Sequence, residues 1–477
     1  MIRRMLRIGC GLAFLPLLAG CMADAPKLEA GVHVPGRYEQ GAAKPAGLSS
    51  TNWPHQFGSR ELDRLSVRAL SDNFDIATAT AKIAAAQAQA QVSGAALYPT
   101  LSGYGDGSRS QSPGTARSKV PPFNSSVSNS FDLGLNASYM VDFWGRYRAE
   151  ANSANFSVLA SEFDRDTTRL STLVAVANAY FQLLVAQDQL KLAHDNLQLS
   201  ERVLGAIKAR VAVGTGTALE QLAQESLVAA SRAAVPPLDI SQAQAKNALA
   251  VLLGVPPESL QVRGGGLGQL REPSFKTGLP SQLLTRRPDI AAAEARLAAQ
   301  QANVASARAA LLPSVQLSGK LGLQSLALKN LFRPEATLAS LAAGVTEPIF
   351  DGGVLKGQLA ISEDTQQELL IAYRKAIISG FSDVENALTT ISAQKRHETL
   401  QAEAVAAARR SYDINEKILH EGTIDVTSVL TVEKNLFDAQ NALVQIRLAK
   451  FNAYVSLISA LGGGWSMPDA PLAEARP

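Results

Sequence analysis

An internal repeat constrains this chain more than any other feature. The segment AALYPTLSG at residues 95–103 returns as AALLPSVQLSG at 309–319, about 210 residues further on. The tripeptide FWG at 143–145 likewise returns as FDG at 350–352. A duplicated pattern of this length predicts two copies of one structural unit.

Both halves have the same order of elements: helix, strand, strand, helix, glycine turn and helix. Residues 62–96 are rich in alanine and glutamine and lack proline, which predicts a helix that the Tyr98-Pro99 step ends. Its equivalent, 287–311, has Pro288 at the preferred first helical position. The predicted organisation is a first repeat at 62–254, a linker at 255–282, a second repeat at 283–464 and a C-terminal tail at 465–477.

After each proline the hydrophobic period changes to two, which is typical of a strand with two different faces. Val315, Leu317 and Leu321 alternate with polar residues such as Gln316 and Lys320. At about 3.3 Å per residue such strands are long enough to cross a bilayer. The predicted strands are about 97–110, 131–143, 313–325 and 338–350, and residues 107–130 and 326–337 are predicted external loops.

Four long strands raise the question of how the sheet closes. In a membrane every backbone donor and acceptor must be paired, so a spanning sheet has to form a closed barrel. Small single-chain barrels begin at eight strands, and three copies of this chain would supply twelve. This reasoning leaves two or four copies open, and a soluble sandwich remains the alternative for the strands taken alone.

The first residues are typical of a secretory signal. Three arginines precede an apolar run at 8–18, and this run ends in LAGC at 18–21, which resembles a bacterial lipobox with an acylated Cys21. An ordinary signal peptide with a chance cysteine is the alternative. The residue after Cys21 is Met22, and not the aspartate that resembles a signal for retention in the inner membrane. The resemblance to a lipobox therefore implies that the protein is sorted to the outer membrane. The predicted segments are a signal peptide with lipobox at 1–20 and a lipid-anchored N-terminal segment at 21–61.

The remaining segments predict very long helices. Residues 146–213 lack proline and have almost no glycine, and a helix of that length would extend about 100 Å. Gly214 permits a reversal, and the same pattern recurs around Gly422. Three- and four-residue apolar spacings favour coiled-coil packing. The predicted helical runs are 146–213, 218–253, 355–421 and 426–461.

Together these features resemble the TolC-like outer-membrane efflux factors in their lipoprotein (NodT-type) branch. The resemblance rests on the lipobox, the duplicated order of elements, PIFDGG at 348–353 and LFDAQ at 436–440, and it covers about residues 60–464. It implies a mainly α fold with membrane β: a homotrimeric twelve-stranded β-barrel, an equatorial domain at the 255–282 linker, and a long α-helical coiled-coil barrel. The implied function is a passive duct that exports small molecules.

The resemblance also implies partners and a gate. A periplasmic adaptor (membrane fusion) protein and an inner-membrane pump of the RND type or a related type would engage the periplasmic tip. Acidic residues near the turn glycines Gly214 and Gly422 would form the gate, and Glu220 and Asp425 are the candidates. In the second half, Ser428 and Thr431 stand where many relatives have aspartates. The alternative for Glu220 and Asp425 is that both are solvated turn residues.

Several functional classes lack support in the sequence. The net charge is +3 without a basic stripe, so nucleic acid is not an expected partner. A phosphate loop of the G-x-x-x-x-G-K-[ST] type is absent, and GGGLG at 264–268 is interpreted as a turn. The five histidines are not at metal-ligand spacing, so neither a metal nor a cofactor beyond the Cys21 lipid is expected, and enzyme activity is not expected. A periplasmic coiled-coil scaffold lipoprotein without a pore, and a lipid-anchored enzyme, are the rival interpretations.

Overall fold

The computed structural model consists of two compact units. One unit contains the strands and includes Gln89–Phe156 and Leu297–Ile371, whereas the other is helical and includes Val32–Ala88, Ser157–Arg296 and the chain from Ala372. The described residues are 31–39, 52–112, 126–274, 278–421 and 426–467. The predicted signal peptide, Cys21, Gly422 and Asp425 lie outside them.

Nine helices are present in the described residues, and two of them exceed 65 residues. They are α1 Arg60–Asp72, α2 Phe74–Ala95, α3 Arg146–Ala212, α4 Ala218–Ala233, α5 Val235–Leu252, α6 Pro280–Leu283, α7 Pro288–Ala309, α8 Val354–Glu421 and α9 Val426–Ala460.

The single helix predicted at 62–96 is wrong, because the structure has α1 and α2 separated by Asn73. The Asn73 side chain caps α2: its Oδ1 accepts hydrogen bonds from the N–H groups of Asp75 at 2.9 Å and Ile76 at 3.1 Å. Its Nδ2 donates to the carbonyl of Leu252 at 2.8 Å. A contact this distant in sequence explains why local composition did not reveal the break.

The helix predicted at 218–253 is also divided, into α4 and α5. Pro236 and Pro237 lie in the first turn of α5. Proline has no N–H group and its ring clashes with the carbonyl four residues earlier, so the ladder of helical hydrogen bonds is interrupted at this point.

The four strands form one antiparallel sheet in the order β1-β2-β3-β4. Strands β2 and β3 pair, which joins the two hairpins of the internal repeat. The strands are β1 Thr100–Ser112, β2 Ser126–Val141, β3 Ser314–Ser325 and β4 Thr337–Thr346.

Several predicted strand ends need correction. Strand β1 begins at Thr100 rather than near 97, because turn hydrogen bonds after α2 continue to Tyr98. Strands β1 and β2 extend into the predicted loop, with Arg109 opposite Asn129 and Ser112 opposite Ser126, because backbone pairing does not require apolar side chains. Strand β4 ends at Thr346 rather than 350, because Pro348 cannot donate to the ladder.

Aromatic residues anchor the beginning of the described chain in the helical unit. Trp53 and Phe57 are completely buried, as is Phe181 of α3, and the rings of Phe57 and Phe181 are 5.2 Å apart. Tyr38 is also buried. Tyr38, Trp53 and Phe57 are therefore packing residues of the helical unit.

Helix α3 is the one described helix long and apolar enough, by length and composition alone, to cross a membrane. More than half of its apolar window is buried within the chain. The burial favours a core helix.

Candidate channel wall and helix turn

The sheet has one apolar face and one polar face. Along the register, Leu135 pairs with Leu321 and Leu133 with Leu323, so odd-numbered apolar residues meet on one face. These side chains are exposed to an unusual extent, and Leu341 of β4 is 87% exposed. Other exposed members of the apolar face are Leu101, Leu133, Leu135, Leu317, Leu321 and Val345.

The opposite face is polar and is connected by side-chain contacts between strands. Gln316 donates to Ser138 Oγ at 3.0 Å, across β3 and β2. The Lys320 ammonium lies 6.0 Å from the centre of the Tyr104 ring, at the reach of a cation–π contact. Such a face suits water and polar solutes.

Two glycines allow strands β2 and β3 to approach each other closely beside Tyr104. Gly134 and Gly322 are register partners on β2 and β3. A Cβ on Gly134 would lie 2.7 Å from the carbonyl oxygen of Leu321, and one on Gly322 would lie 2.5 Å from that of Leu133. A larger residue would force these strands apart.

Both outer strands of the sheet have a free edge. Within the described chain, β1 pairs with β2 and β4 pairs with β3, and each has its other side unpaired. Free edges of this length expose rows of N–H and C=O groups, which in a membrane must be paired.

The turn between α3 and α4 is built around Gly214, whose φ is 81°. This left-handed conformation is costly for residues with a Cβ. The N–H groups of Thr215 and Gly216 donate to the carbonyl of Arg210 at 2.9 and 3.1 Å, which closes the end of α3. The predicted reversal at Gly214 is therefore present.

Glu220 has a structural role at this turn. Its Oε2 accepts a hydrogen bond from the N–H of Thr217 at 2.8 Å, and Thr217 Oγ1 accepts one from the N–H of Glu220 at 3.2 Å. This reciprocal arrangement is a capping box at the start of α4. The gate role of Glu220 and Asp425 stays a prediction.

A buried polar cluster joins three helices of the helical unit. Glu433 of α9 is 1% exposed and accepts a hydrogen bond from Ser200 Oγ of α3. Gln224 of α4 donates to the Ser200 carbonyl at 3.0 Å. Burial raises the pKa of the Glu433 carboxyl, which favours its neutral form.

An ionic cluster ties the linker to α8 and α9. Lys450 is buried and donates to Glu272 Oε1 at 2.7 Å and to Glu398. Tyr454 donates to Glu272 Oε2 at 2.9 Å. Burial by itself would lower the pKa of Lys450, but the hydrogen bonds with Glu272 and Glu398 raise it. The hydrogen bond from Lys450 also holds the pKa of Glu272 below its ordinary value.

The glycine-rich segment at 264–268 binds the chain's own carboxylates. The N–H of Gly264 donates to Glu61 Oε2 at 3.0 Å, and the N–H of Leu267 donates to Asp188 Oδ2 at 2.8 Å. Because these amides are already engaged, they are not free to bind a phosphate, and the segment leads into a short 3-10 helix at Leu267–Gln269. In the described residues no group of three or more His, Cys, Asp or Glu side chains has a metal-binding arrangement.

Sequence reasoning missed the two buried clusters. A signal existed for Glu433, since Val429, Glu433 and Leu436 follow a four- and three-residue spacing in which a charged residue interrupts an apolar seam. The Lys450 cluster had no such signal, because its partners are far apart in the sequence.

Comparisons with known proteins identify the family. The model of the family described as Outer membrane efflux protein matches residues 65–255 and 279–463. The pyoverdine export outer membrane protein OpmQ of Pseudomonas aeruginosa is 40% identical over 462 residues, which are 96% of this chain and 97% of OpmQ. The probable outer membrane lipoprotein SilC of Salmonella typhimurium is 28% identical over 462 residues, 94% of this chain and 97% of SilC.

A solved structure supports the same assignment. The chain of the outer-membrane channel OprN matches with a TM-score of 0.83 and 27% identity, covering 92% of this chain and 99% of that chain. The predicted TolC-like fold and outer-membrane location are therefore confirmed, and the scaffold and enzyme alternatives have no support among these relatives. The chain belongs to the outer membrane efflux protein family.

Proposed function

We propose that three copies of this chain close their sheets into one twelve-stranded barrel, a passive duct through which small molecules leave the cell. The observation that carries the proposal is the pair of free edges on β1 and β4. Their residues need hydrogen-bond partners in a membrane, and neighbouring copies can supply them.

The two faces of the sheet give the barrel its orientation. The apolar face, with Leu321 60% exposed and Leu341 87% exposed, would contact lipid. The polar face with Lys320 would line the water-filled interior. A duct of this kind transports without catalysing a reaction, so we propose no enzyme activity.

Conductance and oligomer mass test this proposal together. The purified full chain is reconstituted in planar bilayers, and its mass is measured by native mass spectrometry. We expect discrete conductance steps and a mass three times that of the mature chain. A monomer that leaves the bilayer insulating would instead favour the coiled-coil scaffold.

Energy for transport would come from partners. We propose that a periplasmic adaptor and an inner-membrane pump engage the α3–α4 turn, where Leu219 is 78% and Leu222 is 62% exposed. A photoreactive amino acid at Leu219 should crosslink to the adaptor in cells, whereas one at the exposed Val92 of α2 should not. Equal crosslinking at both positions would contradict a specific contact at the turn.

The membrane anchor proposed for this chain is a lipid on Cys21. The lipobox pattern supports it, and the relative SilC is named a probable lipoprotein. Two or more acyl chains anchor a protein stably. Mass spectrometry of the N-terminal peptide should show acylation that Cys21→Ser abolishes, whereas Cys10→Ser, within the predicted signal peptide, should leave acylation intact.

The cargo we would test first is pyoverdine. OpmQ is named for pyoverdine export and matches nearly all of this chain at 40% identity. Deletion of the gene encoding this chain should lower pyoverdine in the medium and raise it in the periplasm. Unchanged distribution would exclude that cargo while leaving the duct itself untouched.

A further inference from the structure

The connection between β3 and β4 is an ordered loop. It contains short turns at Leu328–Asn330 and Pro334–Ala336. The N–H of Asn330 donates to the carbonyl of Ala327 at 2.9 Å, and the N–H of Ala336 donates to that of Arg333 at 3.0 Å. The backbone conformation of residues 326–336 is therefore fixed by the loop's own hydrogen bonds.

This loop nevertheless displays large apolar side chains. Leu331 is 5% exposed and Ala336 is 8% exposed, so these two residues anchor the loop. In contrast, Leu326 is 74% exposed, Leu328 60% and Phe332 76%. Apolar side chains grouped in this way commonly mark a contact with lipid or protein.

The position of the loop indicates which surface it meets. It joins the ends of β3 and β4 that are opposite the α7 and α8 connections. In the proposed barrel, on which this step rests, the α7 and α8 connections lie on the periplasmic side and the β3–β4 loop lies at the outer leaflet. It also continues the apolar face of β3, where Leu321 and Leu323 lie on the face that we propose contacts lipid.

The charge of the loop matches an anionic lipid. Lys329 and Arg333 are both exposed and alternate with the apolar residues, whereas Glu335 is the one carboxylate in the loop. Basic side chains beside apolar ones are typical of binding to the phosphates and acyl chains of a lipid surface.

We propose that residues 326–336 bind a phosphorylated glycolipid of the outer leaflet. Leu326, Leu328 and Phe332 contact its acyl chains, and Lys329 and Arg333 bind its phosphates. The binding site goes beyond the duct function and does not require that the pore be open.

Lipid binding by the purified full chain tests the proposal. The chain is titrated with nanodiscs that contain diphosphoryl lipid A, dephosphorylated lipid A or phosphatidylglycerol. We expect preference for diphosphoryl lipid A and about a tenfold weaker affinity for the Lys329→Ser/Arg333→Ser variant. The matched control Lys82→Ser, on an exposed position of α2, should bind as the original chain does. Equal affinity for phosphatidylglycerol, or for the double variant, would overturn the proposal.

A second measurement locates the apolar residues. A polarity-sensitive fluorophore on Phe332→Cys should report an apolar environment and be quenched by lipids with brominated acyl chains. If brominated lipids do not quench the fluorescence, residue 332 lies against a second copy of the chain or in water. Either result would overturn the proposed lipid binding. Conductance measured on the same variants keeps this result separate from the duct proposal, because a loop variant should still form the pore.

Discussion

Lys450 Nζ of α9 lies 2.7 Å from Glu272 Oε1 in the linker between the two repeats. The same ammonium group also binds Glu398 of α8. One buried cation therefore holds together the linker and two long helices of the helical unit.

Removal of this cation should destabilise the helical unit. Lys450→Met removes the ammonium group from Glu398, whose side chain is 19% exposed and which keeps Arg447 as its remaining ion-pair partner. The expected loss is about 2 kcal/mol in the free energy of unfolding, because hydrogen bonds to charged groups contribute about 1.5–3 kcal/mol. Lys434→Met breaks an exposed pair with Asp438 and should cost at most about 1 kcal/mol. Chemical unfolding followed by circular dichroism measures the free energy of unfolding of both variants. Equal losses in the two variants would contradict the role of Lys450 in holding the linker, α8 and α9 together.

Glu433 should make the packed helices sensitive to pH. Burial raises its folded pKa above the unfolded value, so the neutral carboxyl contributes stability at low pH. That contribution is lost as the pH rises through the raised folded pKa, at a slope of about 1.4 kcal/mol per pH unit between the two pKa values.

Glu433→Gln should remove this dependence and be more stable than the original chain above the folded pKa. Melting temperatures measured from pH 4 to 9 report the difference. The control Glu403→Gln changes an exposed position on α8 and should follow the original pH profile. A Glu433→Gln profile parallel to the original would show that Glu433 does not titrate in this range.

The contact between Gly134 and Gly322 should be required for the sheet. A Cβ at residue 322 would meet the backbone of Leu133, so Gly322→Ala should destabilise the sheet by about 1–3 kcal/mol. Gly344→Ala is the matched control, because a Cβ there meets nothing within 4 Å. The yield of heat-modifiable oligomer is the measurement. Normal assembly of Gly322→Ala would mean that the strands can separate at this point without cost.

Two substitutions at Glu220 separate capping from gating. Glu220→Gln keeps a side chain that can serve in a capping box but loses the charge, whereas Glu220→Ala loses both. If Glu220 belongs to the gate, both variants should change single-channel conductance or cation preference, and Glu220→Ala should also reduce helix stability by about 1 kcal/mol. Unchanged conductance and cation preference in both variants would restrict Glu220 to its capping role.

The periodicity of the sequence predicted the two faces of the sheet because alternation directly encodes side-chain direction. Val315, Leu317 and Leu321 lie on the apolar face as the pattern indicated. The strand ends were less predictable, because pairing such as Arg109 with Asn129 continues where both faces are polar.

Contacts between distant segments account for most of what the sequence did not reveal. The break at Asn73 is fixed by Leu252, and the Lys450 cluster includes residues from the linker and two helices. The Gly214 turn and the capping box of Glu220 were accessible from local sequence, since each depends on residues within six positions.

An intermolecular disulfide between β1 and β4 tests closure of the barrel most directly. Within one chain these strands are three strand spacings apart, about 14 Å, which is too far for a disulfide. A cysteine replacing Ser340 of β4 is therefore combined in turn with cysteines along β1, and the Ser102→Cys/Asn136→Cys pair of register partners serves as the intrachain control. We predict that at least one register gives a covalent ladder ending at three chains, and that the linked trimer conducts. If no register gives a crosslink, or if the ladder ends at two chains, the result would contradict a barrel shared by three chains.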